Sequence, residues 1–493
     1  MKKNLAFIIL LVSVLFSACE DNRMEGMMDD QFYLLKNGDY ILKAYRQKSL
    51  VDFEVSIYKS GMGTASGEVT FVADESVLSN YNTANGVSYK QLPADCYTID
   101  NSTVQFAPET VSKKVKITLD VKKVESLQGI GNKQYAIPLK ISTTSGISVV
   151  ADKSELILIP EISGGIRPNS EKLLWSKSLT EMGISGTDHF TASFAVTSSY
   201  LFVNSRNADL KYFNKLTGEY VGTIALPFKG SLANFTIAND DKDNLLITNL
   251  RNKNDGNPYQ QLIYRITGTG DPVEYINSSH IYPNGRKLSI KGDLDGDALI
   301  VSTIENSSKF LYWTVRNGQL VSQDPQVFET QPGTIAWNLF GDAMPRGTDI
   351  SNGFFIAGYG TLPGLGYFDN QGNMVSKYDL KNGELDPAAG FSTQALDLTT
   401  FNAATYLAVG TVEGTLYMNG RLLDVTSPQN LSLNPLDSYL LAFRLNKFGC
   451  NNNANMTGDI HVKTSGDGQT MEMYVLGTNG SIVATQFDCK SED

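Results

Sequence analysis

Six times the chain writes the same short phrase, an apolar run closing on a small or polar residue. The copies are Tyr200–Asn204 (YLFVN), Leu245–Asn249 (LLITN), Ala298–Ser302 (ALIVS), Phe354–Gly358 (FFIAG), Tyr406–Gly410 (YLAVG) and Met473–Gly477 (MYVLG). The spacing is irregular, about 45 to 70 residues, the range in which repeats read as propeller blades carrying loop insertions. A chain built this way has little choice but an all-β ring.

Each repeat reads as four strands. In the first, 190–196, 200–204, 210–213 and 220–226 follow one another, with the turn Lys215–Gly218 before the last. Tyr212-Phe-Asn214 recurs as Tyr367-Phe-Asp369, while Ile263–Ile266, Phe310–Trp313 and Tyr439–Phe443 take the third-strand place in the second, third and fifth repeats. The sixth ends at Ile482–Thr485 and lacks a fourth strand. Leu173–Ser176, ahead of the first repeat, supplies one, and such a closure removes the free sheet edge. The expectation is a six-bladed β-propeller over residues 171–489, or seven blades if 411–437 hides further strands.

Residues 31–162 have a different pattern. Val51, Phe53, Val55 and Ile57 alternate with polar residues, as do Val115, Ile117, Leu119 and Val121. A period of two puts one face on a core and one in water. Tyr135–Ile141 and Leu156–Ile159 add strands, and Pro138 is expected at an edge or bulge because it has no N–H to donate. Glu75–Ala84 reads as a helix capped by Asp74 and stopped at Asn85-Gly86. The sum is an immunoglobulin-like β-sandwich. Residues 163–170, with Gly164-Gly165 and Pro168, form the linker, and 490–493 a tail.

The start of the chain reads as an address. Lys2 and Lys3 precede an apolar run, Leu5–Phe16, too short to span a bilayer. Leu15–Cys19 (LFSAC) resembles a bacterial lipobox, which implies a signal peptide over 1–18 and lipidation of Cys19. Acyl chains there would hold the protein on a membrane through the anchor alone. Glu20, Asp21, Glu25, Asp29 and Asp30 make 19–30 an acidic tether that resembles the surface-export signal of Bacteroidota lipoproteins. Leu78–Tyr89 (LSNYNTANGVSY), Leu92-Pro93, Cys96-Tyr-Thr98, Val104–Phe106 and Tyr135–Leu139 are similar to a domain of unknown function. That domain opens many Bacteroidota surface lipoproteins encoded beside glycan-uptake systems. The resemblance implies an outer-membrane, outward-facing protein whose sandwich is a spacer for a distal, propeller-like module, with glycan-importer components as partners. It supplies no catalytic residue.

A net charge of −11 and pI near 5.0 argue against nucleic acid as a partner. Four cysteines leave three once Cys19 carries lipid. Cys450 and Cys489 flank the last repeat, and a disulfide between them would pin it. No zinc pattern occurs, since the histidines are only His189, His280 and His461. Asp293–Asp297 (DLDGD) has the spacing of a calcium loop, yet the same turn holds Asn239–Asp243 and Ser465–Gly468 in other repeats, and the twelfth position is Ile304. It reads as turn chemistry. Neither metal nor cofactor is called for.

Insertions on one face of a propeller build sites. Residues 251–260, 277–287, 330–346, 359–366 and 381–391 carry the candidates for a polysaccharide or oligosaccharide: Tyr259, Tyr282, Arg286, Trp337, Phe340, Asp342, Arg346 and Tyr359. Aromatic faces stack on sugars and the polar groups bond their hydroxyls. Trp337 leads, because a tryptophan on a long loop is hard to explain as core, whereas Trp175 and Trp313 sit on strand patterns. No catalytic signature is present. Asp342, Asp349, Glu384 and Asp386 could face a sugar as paired carboxylates. The expectation is therefore a non-catalytic carbohydrate-binding surface lipoprotein. The alternatives are an adhesive protein-binding scaffold and a propeller glycosidase or lyase.

Overall fold

A computed structural model describes residues 29–61, 65–143, 146–185, 190–230, 232–251, 255–332, 341–358, 364–379, 391–437, 440–453 and 456–491, the side chains of 391–394 excepted. The described residues are almost wholly β, with two short α-helices. They fall into two compact units, Met1–Gly164 with Ser491–Asp493, and Gly165–Lys490.

In the first unit one sheet has the order Ser148–Val149, Gln31–Leu34, Leu50–Ser60, Ser112–Asp120, Tyr97–Asp100. The other runs Gly38–Tyr45, Glu155–Ser163, Tyr135–Thr143, Gly67–Ala73, Thr103–Phe106. The alternating apolar positions meet in one core: Phe53, Val55, Ile57, Val115, Ile117 and Leu119 pack with Val69, Phe71, Leu139 and Leu158. The helix Glu75–Asn85 covers the far side of the second sheet, where Val77 and Leu78 pack on Ala136, Ile157 and Ile159. That explains the unbroken run Leu156–Ile159, which is buried on both faces. Asp74 caps the helix by accepting from Ser76 N at 3.0 Å, and Gly86 ends it at φ 65°.

Two local readings need correction. Val121 does not extend the strand before it; Asp120 accepts from Lys123 N (3.1 Å) and opens a second helix, Val121–Gln128. Pro138 lies in an inner strand, opposite Ile157, and not at an edge. It is tolerated because its nitrogen faces the side where the neighbouring strand has ended at Ala73. On that side Asp74 N bonds to the Pro138 carbonyl.

The second unit holds six antiparallel sheets among the described residues. Sheet one is Thr191–Val196, Tyr200–Ser205, Leu210–Asn214 and Tyr220–Ile224. Sheets two to five begin with Thr236–Asn239, Asn284–Gly292, Gly341–Pro345 and Phe391–Phe401. Sheet six is Gly458–Thr464, Thr470–Gly477 and Ser481–Asp488, completed by Lys172–Ser178, the strand that precedes sheet one in the chain. The six recurring runs are the second strands. Their side chains alternate between two cores: Leu201 and Val203 pack with Tyr474 and Leu476 of sheet six, while Phe202 packs with Leu245 and Ile247 of sheet two. Both faces are covered, so the run has no polar alternation.

Trp175, on the closing strand, donates its Nε1–H to Lys215 O (2.9 Å), and Gly218 lies on its ring, where an added Cβ would come within 3.1 Å of three ring carbons. Lys215 and Glu472, both buried, form an ion pair at 2.9 Å between sheets one and six. Trp313 is likewise internal, its Nε1–H bonded to Gln323 O at 3.0 Å.

In sheet five the third strand is Tyr417–Asp424, and Leu441–Gly449 is the fourth, so Leu441–Phe443 of the segment expected as third strand at Tyr439–Phe443 belongs one strand later, Tyr439 lying outside the described residues. The disulfide expected between Cys450 and Cys489 is absent: both are free cysteines. Cys489 follows the end of Ser481–Asp488 and its amide bonds Gln469 O, whereas Cys450 lies against Gly477 and Gly480. These are opposite ends of one hairpin, roughly 25 Å apart at ~3.3 Å per residue, and a bridge needs Cα atoms within about 7 Å.

Candidate functional site

The first strand of each sheet in the second unit is tied to its neighbour by short polar side chains. Val196 N donates to Asn239 Oδ1 (3.0 Å) and Ile237 N to Ser193 Oγ (3.3 Å), joining sheets one and two. Leu294 N donates to Asp240 Oδ2 (2.8 Å), joining two and three. Asp342 accepts from Ser289 Oγ (2.7 Å) and from Leu396 N (2.8 Å), joining three, four and five. Val462 N donates to Asp397 Oδ2 (2.8 Å), and Phe194 N to Asp459 Oδ2 (3.1 Å). Sheet six thereby meets sheet one, and the circuit of hydrogen bonds returns to its start.

A cluster of charge fills the middle of this circuit. Lys287 Nζ lies 2.6 Å from Asp459 Oδ1 and 2.9 Å from Gly458 O. His461 Nδ1 is 3.3 Å from Asp397 Oδ2, its Nε2 is 3.8 Å from Asp459 Oδ2, and its ring stands edge-on to Phe194 at 4.7 Å. Burial opposes the charge on His461, but the Asp397 and Asp459 carboxylates overcome it and push the imidazole up to about 10. Burial would likewise raise Asp459 and Asp397. Lys287 and His461 on the first, and His461 on the second, hold both below the usual carboxylate range. Asp342 lacks so close a cation, and burial takes it up to about 6. The space these groups enclose is about 20 Å³, room for one water.

A second hollow lies at the starting end of the same strands. It is lined by Arg206, Phe235, Arg286, Lys287, Gly341 and Gly458 among others, and its tight part also holds about one water, 20 Å³. Arg206 follows directly on Tyr200–Ser205, Phe235 precedes Thr236–Asn239, and Arg286 is the third residue of Asn284–Gly292. The Arg206 guanidinium carbon lies 4.3 Å from the Phe190 ring centroid and 3.9 Å from that of Phe235; Arg286 is 5.9 Å from the Phe235 centroid. Burial pushes Arg206 down to about 9, and repulsion from Arg286 adds to it; at neutral pH it stays a cation. Burial also lowers Arg286, against the pull of the Glu305 carboxylate. Among the described residues Arg206 has no carboxylate partner, and its buried Nε has no acceptor.

The expected ligand residues scatter. Arg286 lies at the hollow. Asp342 is not a loop residue; it is fully buried on Gly341–Pro345, where both oxygens serve the strand circuit. Its burial removes it as a partner for sugar hydroxyls. Tyr259 is buried at a strand start opposite His280, and Tyr282 is half-buried against the core between sheets two and three. Arg346 is half-buried, its amide bonded to Gly353 O at 3.0 Å. Trp337, Phe340 and Tyr359 lie outside the described residues, as do Glu384, Asp386 and Cys19. The turn carboxylates have local tasks: Asp293 accepts from Asp295 N, and Asp295 pairs with Arg265 at 2.6 Å. Reading the sequence alone missed Arg206, Phe190 and Phe235.

The comparisons with known proteins bear on family and not on ligand. A model described as an N-terminal domain matches residues 28–148. No curated protein matches. Among solved structures, a candidate carbohydrate-binding protein from Bacteroides ovatus is 13% identical, covering 94% of this chain and 98% of its own, at TM-score 0.26. A two-domain protein of unknown function from Bacteroides fragilis is 14% identical over 65% of this chain and 94% of its own, at TM-score 0.23. EndoBT-3987 of Bacteroides thetaiotaomicron, solved with a Man5GlcNAc product, is 20% identical over 25% of this chain, which spans only 28% of that protein, at TM-score 0.21. A model for a domain of unknown function, DUF8500, matches residues 173–488, well over half of the sequence, and so the chain belongs to the DUF8500 family.

Proposed function

We propose that this protein is a glycan-binding lipoprotein of the outer membrane, anchored through Cys19 and facing outward, that captures a polysaccharide or oligosaccharide for an importer without cleaving it. In this reading the first unit is an immunoglobulin-like sandwich acting as spacer, and the second a six-bladed propeller acting as head. The closed circuit of first strands and the completion of sheet six by Lys172–Ser178 support the propeller. The observation that carries ligand binding is the hollow where Arg206 and Arg286 sit on the Phe235 ring. Guanidinium groups on aromatic rings at a recessed mouth suit recognition of a polar ligand.

A non-catalytic head is favoured by the state of the axial carboxylates. Asp342, Asp397 and Asp459 each accept a backbone N–H around a space for one water. Glycoside hydrolysis needs two carboxyls about 5 Å or more apart with the sugar between them. The test is titration of the lipid-free chain against plant, host and microbial polysaccharides, with reducing-sugar release followed and Trp337→Ala in parallel. Saturable binding without product is expected. Release of product would refute the non-catalytic reading, and failure to bind any glycan would refute the reading as a whole.

A further inference from the structure

Arg206 is in a costly position. An arginine so far withdrawn from water is ordinarily paired, yet the charge that acts on this half-buried one is another arginine's. Among the described residues no carboxylate pairs with Arg206. Two rings at 4.3 and 3.9 Å hold the guanidinium plane, which leaves its N–H edges to meet a flat, doubly accepting group. The hollow beside it admits about one water, 20 Å³. That is room for a small polar group such as a carboxylate oxygen, so the tip of a ligand can enter.

We infer that the mouth formed by Arg206, Arg286, Phe190 and Phe235 binds the carboxylate of an acidic sugar, a uronate residue within a glycan, with the pyranose ring held outside the hollow. This rests on the glycan-binding reading above and narrows it to one substrate class. The same side chains explain the choice of charge: the protein is acidic overall, at −11, so attraction for an acidic glycan must be local. No covalent step is involved.

The experiment is calorimetric titration of the whole lipid-free chain with hexasaccharides of galacturonate, glucuronate, mannuronate and guluronate. Each is paired with its carboxyl-reduced form, in which CH₂OH replaces COO⁻. At least one uronate should bind, and its reduced form at least tenfold more weakly. Arg206→Gln should lose the same tenfold for the acid form and nothing for the reduced form, while Arg206→Lys should recover only part, since an ammonium lacks the planar fork. A thermal melt of each variant without ligand establishes that it is folded, and the wild-type comparison of acid with reduced glycan stands without any variant. Equal binding of the two forms overturns the inference, as does an Arg206→Gln variant of unchanged affinity. So does tighter binding of sulfated than of uronate hexasaccharides. Binding confined to neutral glycans overturns it and leaves the glycan reading intact, whereas silence toward every saccharide removes both.

Discussion

Arg286 and Lys287 are neighbours in the chain and belong to different chemistries. The strand pairing is irregular between Asn284 and Leu288, and the two side chains, though both line the hollow, take different partners. Lys287 turns to Asp459 and joins a cluster in which two cations meet two carboxylates, all within hydrogen-bond or ion-pair reach. Arg286 turns to Phe235 and to Arg206, where like charges share one ring. The central cluster balances its own charge. At the mouth, Glu305 acts on Arg286, while Arg206 has no carboxylate partner among the described residues. Where a fold neutralises its own charge, that charge belongs to structure; on the proposal made above, the unpaired charge of Arg206 beside a hollow is kept for a ligand, at some loss of stability.

The comparison can be broken by removing charge from each side. The largest effect is expected at the central cluster. Asp459→Ala strands Lys287 without its counter-charge and leaves His461 with Asp397 alone, and should lower the unfolding free energy by about 3–5 kcal/mol in denaturant titration. A loss below about 1 kcal/mol would mean the cluster is not the clasp its geometry suggests. Glu472→Ala, which leaves Lys215 buried between sheets one and six, should cost about 3 kcal/mol by the same rule.

The third test is pH. The folded state raises His461 from its ordinary 6.5 to about 10, so folding favours its proton. That contribution is complete below about 6.5, erodes by up to about 1.4 kcal/mol per unit as pH rises, and is gone above about 10. His461→Gln should flatten this alkaline limb in melts run across pH 6 to 10. A limb of unchanged slope would show that His461 does not hold its proton. Asp397 and Asp459 have the opposite sign: both are held low in the fold, so their contribution is present at neutral pH and lost as pH falls through their folded values. The smallest expected effect is that of a reductant. With Cys450 and Cys489 unbridged, it should shift Tm by less than about 1 °C, where losing a bridge worth about 3–4 kcal/mol would shift it by several degrees.

Much of the fold was legible because burial writes directly into sequence. A strand packed on both faces has no polar alternation, and all six such runs lie on second strands. The closing strand was readable from an unpaired sixth repeat. Spacing misled where it stood in for geometry. Cys450 and Cys489 flank one hairpin, but its two ends are far apart. Asp342 follows a long insertion and was taken with it, although Gly341–Pro345 is a buried strand. The site was the least legible part. Arg206 and Arg286 are 80 positions apart and meet only because sheets one to three turn their starting ends to one hollow. A residue pattern within any single repeat does not show that. The one available signal was an arginine directly after an apolar second strand, at Arg206 as near Arg251, where a turn would ordinarily take Asn, Asp or Gly.

One measurement separates structural charge from charge kept for a ligand most directly: the unfolding free energy of Arg206→Gln, without ligand, beside that of the wild type. If Arg206 is held at the mouth against its own desolvation and the repulsion of Arg286, the neutral variant will be as stable as the wild type or more so, within about 0.5 kcal/mol or above it. A loss of about 2 kcal/mol or more would place Arg206 with Lys287 and His461 as part of the scaffold, and the distinction between the two clusters would fall.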